Sequence, residues 1–528
     1  MYKIYLSLWL VGVAFSLSAQ VICPVIPLPE KAEKREGTFT VNNEVRLVAK
    51  DTTLAPIVHY LQKELLRTLN LSLVSDAQAK SKTIVLDLLK GSSAKNGSYT
   101  LEIKMDQVKI TSRTQEGLFN GINSLLQLIK NKEKVAQGNY AIDCWTIEDE
   151  PLYQWRGLML DESRHFFGKE KVKQILNWMA FYKLNRFHWH LTDQHGWRIE
   201  IKQYPKLTLV GGIGNFHNEY AAPTYYTQED IKEIVAYAAE RFITVIPEID
   251  MPGHASAANK AYPEFSGGGS RNYPEFTFNP GYLPTYQYLT NILREVDVLF
   301  PSQMIHIGGD EVHFGNEKWK TDLNIKTLME KEKLADLKAV ENYFFKRMAD
   351  SVLKLNNKIL AWDEVAESAL PAKETIVFWW RHDRPQQLQK ALDKGFSVVI
   401  CPRSPMYFDY VQDTSQVYGP DWKKFGTNSV ENIYKFTVSK VPVKFPAAQQ
   451  VLGIQANLWT ERIHTPERLD YMLFPRIAAL AEAAWTNDQE KDYKAFEGRL
   501  KAHLPLYKND GLYYFDFISP RNTGEPKN

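Results

Sequence analysis

Cysteine is nearly absent from this 528-residue chain, with only Cys23, Cys144 and Cys401. An odd count of three excludes a disulfide framework, and their wide spacing excludes a cysteine metal site. A Cys23–Cys144 bridge is conceivable, but buried free thiols fit the count better. Net charge is also nearly absent: 64 basic against 62 acidic residues leave +2. That balance carries no electrostatic footprint for nucleic acid. No glycine-rich phosphate loop and no low-complexity tract is present. Beyond the first twenty residues no apolar run has the length to span a bilayer.

The start of the chain is the exception. Lys3 precedes an apolar stretch over 4–17, and Leu17-Ser18-Ala19 places small residues before Gln20. This pattern reads as a secretory signal peptide over 1–19, so the protein is expected to be exported, periplasmic or extracellular, with no membrane span once the signal is removed. Ile22 stands where a lipid-attachment site at Cys23 would need a small residue, which favours a soluble exported form.

What the chain does have is a large apolar fraction, 44%, and 13 tryptophans. That length can bury a core without covalent staples. Residues 22–148 mix short alternating strands (83–88, 99–103, 108–112) with amphipathic helices (54–69, 115–129), a small α+β domain. The stretch at 149–151 is the expected boundary. From Arg156 the pattern becomes a regular alternation of strand and helix. Strands are expected at 157–160, 186–190, 243–249, 304–308, 358–361, 375–379, 397–400 and 452–456. Helical periodicity follows most of them, at 169–182, 228–241, 283–299, 337–355 and 385–394, with a longer helix at 466–484. Eight such units predict an α/β fold, a (β/α)8 TIM barrel over 151–505, followed by a C-terminal tail, 506–528. An open doubly wound sheet is the runner-up. The glycine-bearing stretch 266–270 reads as a mobile loop.

In such barrels the active site lies at the C-terminal strand ends. Here those ends carry Asp161 and Arg164; His190 and Asp193; Glu248, Asp250 and His254; Asp310 and Glu311; Trp362, Asp363 and Glu364; Trp379 and Trp380; Tyr407 and Asp409; Trp459 and Glu461. Carboxylates among indoles suit glycoside hydrolysis, which passes through an oxocarbenium-like transition state and commonly uses two carboxyl groups. Asp310 and Glu311 are adjacent, so each raises the pKa of the other, and Gly308-Gly309 lets the backbone bend to aim both inward. Taken alone, the pair could equally cap a helix N-terminus. Arg164 could form a structural salt bridge with Asp161 or Glu162, and His254 could be a hydrogen-bonded core histidine. Strand alternation turns only one of Trp379 and Trp380 inward.

The ordered set His306-Ile-Gly-Gly-Asp-Glu311, Gly157-Leu-Met-Leu-Asp-Glu-Ser-Arg-His165, His188-Trp-His-Leu-Thr-Asp193 with Gly196-Trp-Arg-Ile199, Glu248-Ile-Asp-Met-Pro-Gly-His254, Ala361-Trp-Asp-Glu364, Tyr407-Phe-Asp409 and Asn457-Leu-Trp-Thr-Glu461 resembles the family 20 glycoside hydrolases, the β-N-acetylhexosaminidases. The matches span about 160–485, and the N-terminal region resembles the small domain that precedes that family's barrel. The resemblance implies an exo-acting, retaining, substrate-assisted hydrolase that needs no cofactor or metal. Its substrate would be an oligosaccharide or glycoconjugate ending in N-acetylhexosamine. It implies Glu311 as the acid, Asp310 as the acetamido N–H acceptor and Tyr407 as donor to the acetamido oxygen. It further implies Trp362, Trp380 and Trp459 as pocket walls, Arg164, Asp409 and Glu461 as hydroxyl binders, and Asp193 with His254 as a supporting pair.

Two other readings remain open at this stage. His188, His190, Asp193 and His195 could mark a metal-dependent hydrolase, because His-x-His on a strand shares one face. A non-catalytic glycan binder is the third, although binding alone needs no proton donor. Arg381, His382 and Arg384 follow Trp380 and could accept an anionic substituent such as a 6-sulfate. Asp409 and Glu461 would repel it, so an uncharged terminal sugar is expected.

Overall fold

A computed structural model of the chain describes residues 22–91, 96–131 and 138–527. The expected signal peptide lies outside the described residues.

The N-terminal strands form one seven-stranded sheet in the order Lys31–Val41, Tyr140–Asp149, Tyr99–Ile103, Gln107–Ser112, Thr83–Leu88, Arg46–Ala49, Val74–Ser75. Its buried positions alternate, as in Gln107–Ser112, because one face meets the helices. The helices Ala55–Leu69 and Gln115–Lys130 pack against each other and the sheet. Gln115–Lys130 is buried almost throughout, because it also meets the barrel helix Lys169–Phe181. The long outer strand Lys31–Val41 and its partner Tyr140–Asp149 have no counterpart in the sequence reading. Lys31–Val41 is largely exposed and charged, so it lacks the apolar alternation that marks a strand.

The second part is a closed parallel barrel of eight strands: Trp155–Asp161, Arg186–His190, Thr244–Glu248, Met304–His306, Lys358–Trp362, Thr375–Trp379, Ser397–Ile400 and Val451–Leu458. Each expected strand is present, shifted by a few residues at most. Its strands are almost continuously buried, the state of a parallel sheet covered on both faces. Closure joins the eighth strand to the first, Gly453 to Leu458 against Trp155 to Leu160. Long helices follow the first four strands (Lys169–Phe181, Gln228–Ala239, Leu283–Leu299, Leu337–Lys354) and the sixth (Pro385–Asp393). The fifth strand is followed by two 3₁₀ turns, Asp363–Glu367 and Ala372–Glu374, in place of a long helix, and the seventh by an irregular stretch containing Val430–Tyr434.

Two expectations need correction. The helix read over 466–484 is two helices, Pro466–Leu473 and Arg476–Trp485. Pro475 cannot donate to the preceding turn, and Phe474 before it is extended at φ −102°, ψ 133°. The glycine-bearing stretch 266–270 is not a free loop. Ser266–Gly268 pairs with Thr277–Phe278, and Ser270 Oγ donates to the Phe314 carbonyl at 2.7 Å. A last helix, Tyr493–Asn509, packs back on the barrel and carries Pro505 within it. All three cysteines are buried and unbridged.

Candidate active site

Register places Asp161, His190, Glu248 and His306 at one level around the barrel, since each pairs with the next across adjoining strands. Glu248 is the hub of this level. His190 Nδ1 lies 2.6 Å from its Oε2, His188 Nε2 3.0 Å from the same oxygen, and Trp362 Nε1 donates to its Oε1 at 2.8 Å. Burial opposes ionisation of Glu248, but the surrounding His190, His306 and His188 hold its carboxyl well below the ordinary range. One indole wall of the pocket is thereby anchored to a carboxylate beneath the floor.

Asp193 organises the next level. It meets His190 Nε2 at 3.0 Å, His254 Nδ1 at 3.0 Å and the Arg164 guanidinium at 2.7 Å. Burial works against it, yet Arg164, His254 and His190 keep it well below the usual carboxylate range. Desolvation likewise opposes a charged His254. The Asp193 and Asp310 carboxylates outweigh that and raise it well above the ordinary imidazole value. Its Nε2 stands 3.6 Å from both Asp310 Oδ2 and Glu311 Oε2. An imidazole biased toward its charged form thus faces both acids from behind.

The acids owe their aim to the backbone. The fourth strand ends at His306, and Gly308 and Gly309 take φ +65° and +97°. A Cβ on Gly308 would stand 1.8 Å from Asp250 Oδ1, so only glycine fits there. Gly309 N–H donates to that same oxygen at 3.2 Å, and Glu311 itself has φ +52°. Burial, with Asp250, pushes the Asp310 carboxyl well above its ordinary value, and Glu311 and Glu364 add to this against the pull of His254. Its Oδ1 is buried without a protein partner. Burial also raises Asp250 to about 7.

A cavity of about 480 Å³ opens over these acids. Ten of the residues singled out in the sequence line it: Arg164, His254, Asp310, Glu311, Trp362, Trp380, Tyr407, Asp409, Trp459 and Glu461. Asp193 lies beneath them. Trp380 is held by its indole N–H on Glu364 at 3.2 Å, while Trp379 is buried outside the cavity. Tyr407 stacks 6.3 Å from Trp380 and lies 6.1 Å from Trp459. The irregular segment that carries it is pinned to the eighth strand by Phe408 N–H on the Asn457 carbonyl at 2.7 Å. Arg164 pairs with Asp161 at 3.2 Å and reaches Glu461 at 3.6 Å, so its salt bridges and its place in the cavity coexist. Asp409 is raised to about 8 by burial and by the Glu461 charge.

Arg381 is engaged by Asp363 at 2.6 Å and Glu364 at 3.3 Å, and neither His382 nor Arg384 lines the cavity. The His-x-His pair is spent on Glu248, and His195 is not part of that cluster. Sequence reasoning missed Phe216, Arg403, Tyr410, Pro420, Phe425 and Arg462, which complete the lining from loops and from the short helical turns Arg403–Met406 and Trp422–Phe425. Tyr410 and Arg462 each follow a recognised acid directly; Phe216, Arg403, Pro420 and Phe425 carry no motif signal.

An eight-stranded barrel whose mouth gathers paired acids and three indoles in one cavity has the build of a barrel glycosidase. The model of the glycosyl hydrolase family 20 catalytic domain matches residues 153–488, and that of the family's domain 2 matches 23–150. The chain belongs to glycosyl hydrolase family 20. A beta-hexosaminidase of Porphyromonas gingivalis is 33% identical over 93% of this chain, which spans 64% of that protein's length. One from Vibrio furnissii is 33% identical over 87% of this chain and 76% of its own. The structure of an exo beta-N-acetylglucosaminidase from Vibrio harveyi in complex with N-acetylglucosamine superposes with a TM-score of 0.85 at 33% identity, covering 93% of this chain and 78% of that one.

Proposed function

We propose that the protein is an exo-acting, retaining β-N-acetylhexosaminidase that removes terminal GlcNAc or GalNAc by substrate-assisted catalysis. The observation that carries this reading is the convergence of Asp310, Glu311, Tyr407 and the three indoles on one cavity. The 2-acetamido carbonyl oxygen attacks its own anomeric carbon while Glu311 protonates the departing glycosidic oxygen. The product of that step is a cyclic oxazolinium ion. Water then attacks the anomeric carbon from the opposite face, Glu311 takes its proton, and the ring reopens with retained configuration. Tethering the nucleophile beside the reacting carbon removes much of the entropic barrier.

Asp310 accepts from the acetamido N–H. As a carboxylate beside the forming oxazolinium ring it stabilises positive charge where that charge develops. Tyr407 donates to the acetamido oxygen, and Trp362, Trp380 and Trp459 enclose the methyl group and the sugar face. Arg164, Asp409 and Glu461 take the outer hydroxyls, and by closing that end they favour exo-action on a neutral terminal sugar. The N-terminal pattern supports export; the mature protein is then expected to begin near Gln20, which N-terminal mass analysis checks.

Rates on aryl β-GlcNAc, β-GalNAc and β-glucosides test the proposal. The two N-acetylated sugars should turn over and the glucoside should not. Equal cleavage of the glucoside would sink the acetamido mechanism.

A further inference from the structure

Beside the cavity, three imidazoles that the sugar chemistry does not use are gathered from distant parts of the chain. His165 follows the first barrel strand, His217 lies on a turn after the second, and His464 follows the eighth. His165 Nε2 and His217 Nδ1 are 3.1 Å apart. One ligand nitrogen from each of the three lies within 4.8 Å of the others. The His217 and His464 rings approach to 3.4 Å between centroids, closer than the roughly 4.5–7 Å that ring packing favours.

The orientation of these rings is not that of ordinary core histidines. His165 Nδ1 lies 2.6 Å from the Thr460 carbonyl, so that nitrogen is the donor and Nε2 presents its lone pair to the cluster. His464 has its Nε2 buried without a protein partner. A carbonyl fixing the ring from behind, as at His165, is the usual support of a metal-ligating histidine; there the forward Nε2 is shared with His217 Nδ1 at 3.1 Å, a contact an ion would replace. His217 is held on its turn by Asn215 Oδ1, which accepts from the N–H groups of His217 and Asn218 at 2.9 and 2.8 Å. His217 is also exposed, which leaves a route for an ion from solvent.

We propose that His165, His217 and His464 form a three-imidazole site for a divalent zinc-type ion on the rim of the cavity. Three imidazole nitrogens leave zinc one open tetrahedral position, and bonds of about 2.0–2.1 Å set ligand nitrogens roughly 3.3 Å apart; the His165–His217 pair stands at 3.1 Å and all three ligand atoms fall within 4.8 Å of one another. The ion joins the 215–218 turn to the segment after the eighth strand. Phe216 and Glu461, both lining the cavity, belong to those two segments, so occupancy stiffens one side of the pocket. The site does not depend on the sugar reading.

The test is calorimetric titration of zinc chloride into the chelator-stripped, dialysed full-length protein, with cobalt(II) absorption as a second readout. Saturable binding of one ion at this site, a tetrahedral cobalt spectrum and a raised melting temperature are expected. His217→Ala and His464→Ala should each weaken zinc binding about tenfold or more and abolish the cobalt spectrum. His313→Ala, an exposed histidine elsewhere, should change nothing. Because His217 is exposed, its variant is expected to fold, and its metal-free melting temperature checks that. Absence of saturable zinc binding, or binding undiminished in His217→Ala, would overturn the proposal; the second outcome would place the ion among other ligands.

Discussion

Glu311 and Asp310 are neighbours in the chain but differ in environment. Glu311 keeps part of its side chain in contact with solvent, whereas Asp310 sits deeper, against Asp250 and His254. A leaving-group acid must exchange protons with water, and a charge stabiliser gains from seclusion. Glu311→Gln should therefore slow hydrolysis by about 10²–10⁴-fold on substrates with poor leaving groups. The loss should be much smaller on activated aryl glycosides, whose leaving oxygen needs little protonation. Equal losses on both, measured as kcat/KM, would remove Glu311 from the acid role.

Asp409 gives a pH dependence with a definite sign. Folded, it keeps its proton to about pH 8; unfolded, it releases it near pH 4, about the ordinary Asp value. Between those values the folded state binds the extra proton, so stability falls as pH rises through the window. Asp250, raised to about 7, and Glu162, raised to about 8 by burial, act the same way. Asp193 and Glu248 are held low and act oppositely, losing their stabilisation only in stronger acid. The free protein should melt at a higher temperature near pH 6.5 than near pH 8.5, an interval above the range where the burial-depressed His188, His195, His464 and His503 act with the opposite sign, and Asp409→Asn should flatten part of that slope. A melting temperature that rises over the same interval in both proteins would contradict it.

Among the elements, the turn after the fourth strand is the most constrained. Gly308→Ala places a methyl against Asp250 in a left-handed conformation. A shift of about 1 Å in the acids that follow should cost roughly 100-fold in kcat. Gly498 is the contrast. It lies exposed inside the helix Tyr493–Asn509 with open space around its Cα. Gly498→Ala should stabilise by about 0.5–1 kcal/mol and leave kcat unchanged. Chemical denaturation together with steady-state rates checks both. The same scale shows where sequence patterning is reliable. The buried barrel strands are short apolar runs and read clearly. The break at Pro475 was missed, because the apolar periodicity runs on across it, and proline alone does not decide a break: Pro505 sits within the helix Tyr493–Asn509. The edge strand Lys31–Val41 was not legible, because its pairing with Tyr140–Asp149 rests on backbone bonds that leave no apolar pattern.

At the scale of the whole molecule, one buried cluster joins the N-terminal sheet to the barrel. Asp149, at the end of the sheet's longest inner strand, accepts from Tyr99 Oη at 2.7 Å, from Trp485 Nε1 at 2.7 Å and from Lys183 Nζ at 3.0 Å. Both members of the Lys183–Asp149 pair are fully buried. Removing one partner leaves an uncompensated charge, so Lys183→Met should destabilise the protein by about 3–5 kcal/mol. The urea midpoint reads this out, and an unchanged midpoint would show the pair to be dispensable. No helix among the described residues is long and apolar enough to cross a membrane.

The sequence by itself determined the alternation of strand and helix, the eight strand ends and the chemical types gathered there. These follow from local periodicity and from residue identity, which need no partner to be read. Tertiary structure decided which of those side chains meet. It sank Asp193 beneath the cavity, set His254 behind both acids, turned Trp380 in and Trp379 away, and bound Arg381 to Asp363 and Glu364. It also brought His165, His217 and His464 together across some 300 residues of chain. Such meetings depend on strand register and barrel closure, and no local pattern encodes a distance between strands.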